Sequence, residues 1–122
     1  MSLVIIRESQ TTMSVGKDNW FYNGLDATNL SANIHAIQWD GSEGHVEVLD
    51  DGLESIVSVN PIDGVSDYDF AVTKWQEAFD AELAAKKQAA YDVAHREAIA
   101  DGSSEEEAVA AGNAARDAVT SL

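Results

Sequence analysis

The chain has 122 residues, no cysteine, one proline and 45% hydrophobic residues, with 22 acids against 7 bases for a net charge of −15. That length suits one small domain with an appendage, and the apolar share suffices for a packed core. The lack of cysteine excludes disulfides, thiol catalysis and cysteine-based zinc sites, and the charge repels phosphate backbones and anionic membranes.

Residues 3–8 are apolar and β-branched up to Arg7 and Glu8, which predicts a strand buried on both faces. Their apolar run is too short for a signal-peptide core or a membrane span. Segments 11–15 and 19–22 are weaker strand candidates around a turn at Gly16-Lys17-Asp18. Residues 24–33 are polar apart from Leu25 and Leu30 and read as a loop or a single helical turn. Residues 34–39 and 45–49 flank a five-residue loop with two glycines, Gly41 and Gly44, which predicts a hairpin. Asp51-Gly52 makes a second tight turn into 53–59, completing a three-stranded antiparallel meander. Asn60-Pro61 is expected to stop that strand.

From Ser66 the composition turns helical, and 16 of the last 57 residues are alanine. Ser66 or Asp67 is placed to cap a helix beginning near Tyr68. Tyr68, Val72, Trp75, Phe79 and Leu83 form its apolar face, with Trp75 and Phe79 expected to lock it onto the sheet. The stripe continues in small residues, Ala90, Val93 and Ala94. Asp101-Gly102 ends the helix with a left-handed cap, and Ser104 with Glu107 fits a capping box for a last helix over about 105–119.

The fold class is therefore α+β. A mainly antiparallel sheet is packed by a long helix in residues 1–83, and an Ala-rich helical extension follows in 84–122. Alanine buries little area, so the extension is expected to contact a partner protein or a second copy.

No constellation of catalytic residues stands out. There is no G-x-S-x-G elbow, no P-loop and no G-x-G-x-x-G. In the predicted hairpin His35 shares a face with Ile37 and Trp39 while His45 lies opposite Val46 and Val48, so the two cannot share a metal, and His95 lies far along the chain. The expectation is no enzyme, no cofactor and no metal. Contact residues are better marked. Trp20-Phe21-Tyr22 is consecutive, so at least one ring must leave the core face. Val93 and Val109 are the matching candidates in the helical extension, whereas Trp39 and Trp75 fall at core spacing.

The run Ala36-Ile37-Gln38-Trp39-Asp40-Gly41, then Gly44-His45-Val46-Glu47 and Asp51-Gly52, then a helix carrying Trp75 and Phe79 with an Ala-, Lys- and Glu-rich tail, resembles small proteins of tailed bacteriophages. The likeness covers about residues 34–83, and the group is similar to tail-fibre assembly proteins and small accessory virion proteins. The resemblance implies work by protein–protein contact with tail or tail-fibre proteins, in the virion or the host cytoplasm, and it implies no catalytic residues. The alternative from charge is an acidic nucleic-acid mimic that inhibits a host DNA-binding enzyme.

Overall fold

The structure, a computed structural model, describes all of residues 1–122. Six strands come first: β1 (Leu3–Arg7), β2 (Thr12–Lys17), β3 (Trp20–Asp26), β4 (Ile34–Trp39), β5 (Gly44–Leu49) and β6 (Ile56–Ile62). A 3-10 turn (Ser66–Tyr68) leads into α1 (Asp69–Ala100), and α2 (Glu105–Ala118) follows. The fold is α+β. The chain divides into two compact units, Met1–Glu77 and Ala78–Leu122, a boundary inside α1 and earlier than the division expected after Leu83.

The sheet order is β3-β2-β1-β4-β5-β6, and every neighbouring pair is antiparallel. Strands β1 to β3 form a meander, and β4 returns to lie beside β1, which is a Greek key. Strands β4 to β6 extend it as the predicted second meander.

Register explains the core. Ile5 lies opposite Val15 on one side and Ile37 on the other, Leu3 lies opposite Trp39, and Arg7 opposite Met13. Leu3, Ile5, Met13, Val15 and Ile37 are fully buried on that shared face, each worth about 1.5–3 kcal/mol. Ala71 and Trp75 from the start of α1 are buried too. The alternate β1 residue Ile6 is 40% exposed. Strand β1 is thus buried on one face, not on both as its apolar run suggested.

Several boundaries differ from expectation for local reasons. The β2–β3 turn is Asp18-Asn19, both with positive φ (51° and 68°), which suits the twist of a two-residue hairpin. Strand β3 runs past Tyr22 to Asp26 because a bulge opposite Ser14 absorbs Asn23 and Gly24. The β5–β6 connection spans six residues rather than a tight Asp51-Gly52 turn. Asp50 organises it, its carboxylate accepting from the Glu54 N–H at 2.9 Å. Strand β6 passes through Pro61 to Ile62, since an edge strand has no outer neighbour that needs the missing N–H. Neither Ser66 nor Asp67 caps a helix by its side chain; the turn starts from Val65, whose carbonyl accepts from Tyr68 N–H.

Arg7 is the polar member of the core face, at 9% exposure. Its guanidinium donates from Nε to Ile34 O (2.9 Å), from Nη1 to Ser9 O (3.1 Å) and Gln10 O (3.2 Å), and from Nη2 to Leu30 O (3.1 Å) and Ser31 O (2.8 Å). All five donors are used, and all five acceptors are backbone carbonyls. Lysine has three donors at a single point and cannot span this set. Arg7→Lys should therefore cost about 3 kcal/mol in a urea titration, through carbonyls left unpaired. A loss below about 1 kcal/mol would show that water replaces the clamp at little cost.

Candidate functional site

The Trp20-Phe21-Tyr22 run divides between the two faces of the sheet. Trp20 pairs with Lys17 and Tyr22 with Val15, which places both on the core face, while Phe21 pairs with Gly16 on the other. Trp75 joins the first pair. Its indole Nε1–H donates to the Trp20 carbonyl at 2.7 Å, and its ring meets Tyr22 edge-on at 5.9 Å between centroids. The Lys17 ammonium sits 4.9 Å from the Trp75 ring centroid, a cation–π contact. Trp75 is therefore a core anchor, as its spacing predicted, and Tyr22 is half-buried against it. Trp20 keeps 40% of its surface exposed.

Phe21 is the ring that leaves the core. It is 49% exposed and lies over Gly16, where a Cβ would collide with the ring. Gly16 is itself buried, so the ring substitutes for the side chain that the glycine lacks. On the same face Ile6 is exposed, and Val4 is half-buried.

A second exposed apolar set lies on β6, where Ile56 (47%), Val57 (63%) and Val59 (58%) follow one another along the strand. Sequence reading assigned this segment to the meander and did not single it out. Its signal was four large apolar residues in seven, more than a strand with one buried face requires.

In the second unit the helices of residues 78–122 meet through small residues. Ala108 is wholly buried, and a Cβ on Gly112 would lie 2.6 Å from the Tyr91 ring. Tyr91 stacks on His95 with centroids 5.7 Å apart, and His95 Nε2 lies 2.9 Å from Glu105 Oε1. The seam on α1 thus runs through Ala90, Tyr91, Ala94 and His95 rather than through Val93, which is 43% exposed. Val109 is half-buried. Both helix-end signals are present. Ser103 N–H reaches Ala98 O and Gly102 N–H reaches Ile99 O in a Schellman closure, and Ser104 with Glu107 forms a reciprocal capping box.

The titratable groups are local in their effects. Asp40 accepts from Glu43 N–H (2.8 Å) and Ser42 N–H (2.9 Å), which hold its carboxyl below the ordinary 3.8. Asp26 is lowered likewise, first by the Thr28 N–H. Burial, then the Asp67 charge, raises the Tyr68 phenol. His35 is the extra residue of a bulge between Ile34 and Ala36, and His45 lies opposite Gln38. No three His, Asp or Glu side chains converge to hold a metal ion. No helix is long and apolar enough to cross a membrane.

Two outcomes follow from these geometries. Gly112→Ala should cost about 1–3 kcal/mol, since the added methyl must displace the Tyr91 ring. Thermal unfolding followed by helical circular dichroism measures this, and an unchanged midpoint would mean that the helices part freely. The Asp40 carboxyl is lowered in the folded state, so its contribution is complete above 3.8 and is lost as pH falls through the lower folded value. Asp40→Asn should accordingly flatten the fall in stability below about pH 4 in an acid titration, and parallel curves would sink this assignment.

No family model matches the chain, and neither a curated protein nor a solved structure is significantly similar to it.

Proposed function

We propose that this protein is a tail-associated protein of a tailed bacteriophage, serving tail-fibre assembly or residing in the particle, and acting through protein–protein contacts. The observation that carries the contact part is exposed apolar surface clustered by strand: Phe21 with Ile6 on one face, and Ile56, Val57 and Val59 along β6. Clustered apolar surface on a small protein marks interaction sites far more often than single exposed residues do. The phage part rests on the resemblance of Gln38-Trp39-Asp40-Gly41 and its flanking pattern.

The charge layout favours a second reading, the nucleic-acid mimic. No lysine or arginine lies between Lys17 and Lys74, and eleven acids occupy that stretch. A mimic would compete with duplex DNA for a basic groove, and its effect would be salt-sensitive.

Mass spectrometry separates the possibilities. In particles purified from the encoding phage, a structural component appears in fixed proportion to tail proteins. An assembly factor is abundant in the lysate, co-purifies with a tail-fibre protein and is missing from finished particles. A chain that associates with no tail component in lysate or particle would sink the proposal. Recovery with a host DNA-binding enzyme instead would establish the mimic.

A further inference from the structure

Strand β6 ends the sheet, and no strand pairs with its outer edge. The direction of its backbone groups follows from the neighbouring strand. Leu49 N–H donates to Asn33 O at 2.6 Å, away from β6, while Asp50 N–H donates to Ser55 O at 2.9 Å, across the β5–β6 connection. Groups alternate along an antiparallel strand, so Glu47 and His45 also turn toward β4. Their β6 partners, Val59 and Pro61, therefore turn their backbone outward. Pro61, which has no N–H, occupies one of these outward positions, where proline is tolerated. The Val59 N–H and C=O and the Pro61 C=O are left as a strand-pairing ladder, beside side chains at Ile56, Val57 and Val59 that are about half exposed or more.

Edge strands of this kind are commonly protected by lysine. None is present here: β3 to β6 carry no lysine or arginine, and the β6 edge is framed by Asp51 and Glu54 at one end, Asp63 at the other and Glu47 on the adjoining strand. Carboxylates at these positions repel a second copy in either direction. Antiparallel pairing sets Glu54 against Asp63, and parallel pairing sets each against itself. The same carboxylates attract a strand with basic flanks.

We propose that the outer edge of β6 is a β-augmentation site for an extended segment of a partner protein, apolar and β-branched at its centre with lysine or arginine at its ends. Backbone pairing at Val59 supplies register, and the framing carboxylates select the basic ends. The inference stands on the sheet unit alone and does not depend on the phage reading.

The probe is a synthetic peptide, Lys-Lys-Val-Thr-Val-Thr-Val-Lys-Lys with capped ends, added to the full chain and followed by amide NMR. The expected result is shifts concentrated on β6, slowed hydrogen exchange at the Val59 amide, and binding that weakens with salt. Val59→Pro removes the outward donor and should weaken binding about tenfold. Val59→Lys, which leaves the backbone donor in place and suits a solvent-facing strand site, should weaken it too, with both variants retaining the parent circular dichroism spectrum. Should Val59→Pro misfold, Val59→Lys and the exchange measurement decide the matter. Equal binding of the peptide with glutamates in place of lysines would overturn the charge argument. Binding without slowed exchange at Val59 would overturn strand pairing. A dimer of the free protein that Val59→Lys dissolves would show that the edge serves a second copy, and would overturn the assignment of a basic partner.

Discussion

A cation without a carboxylate holds the topology of the sheet. The Greek key requires the chain to travel from the end of β3 to a place beside β1, and the seven residues that make this passage have no ladder of their own. Among them the carbonyls of Leu30 and Ser31 turn toward the end of β1. Arg7, the last residue of β1, supplies all five donors of its guanidinium to Leu30 and Ser31 on the passage, to Ile34 at the start of β4, and to Ser9 and Gln10 on the β1–β2 turn. Burying a charge is costly, and charge-assisted bonds of good length offset that cost here. The net negative field of the molecule favours a buried cation over a buried anion. With the passage fixed, Ala27 and Leu30 are buried, and Ile34 begins β4 in register with β5. The β1–β4 pairing that joins the two meanders depends on this.

Whether a feature was legible in the sequence depended on how local its cause is. The β4–β5 hairpin, the Schellman closure at Gly102 and the Ser104–Glu107 box are decided by residues within a few positions of one another, and local residue spacing is enough to locate them. Pro61 signals a strand end locally, yet the rule for proline differs between edge and central strands, and strand order is not written locally. Gly24 signals a loop for a similar reason, since a bulge is defined by the partner strand. Arg7 after an apolar run looks like a strand end meeting solvent. Nothing nearby says that five carbonyls converge on it, because three of the residues supplying them lie 23 to 27 positions away.

The candidate contact residues divide in the same way. Period-two alternation was enough to foresee that one ring of Trp20-Phe21-Tyr22 must leave the core, and Phe21 does. It could not foresee Gly16 beneath that ring, a cross-strand relation. In the helical unit part of the small-residue stripe forms a seam between the two helices themselves. A glycine inside a helix costs about 1 kcal/mol and usually has a packing reason. Gly112 against Tyr91 is that reason, and a glycine in mid-helix is the local mark of the seam.

These differences bear on where recognition is concentrated. In the helical unit Val93 and Ile99 are exposed singly, as isolated surface apolar residues commonly are. On β6 the exposed residues Ile56, Val57 and Val59 follow one another along the strand, they flank unpaired backbone groups, and the carboxylates around them keep like copies apart. Exposed edges invite indiscriminate pairing, and a protein bearing one must either cover it or make pairing selective. Charge of one sign along the β6 edge makes it selective without a covering element. It raises the cost of self-pairing while leaving the ladder open to a strand of opposite sign. The same negative field that accommodates Arg7 inside the fold thereby limits what can join its edge.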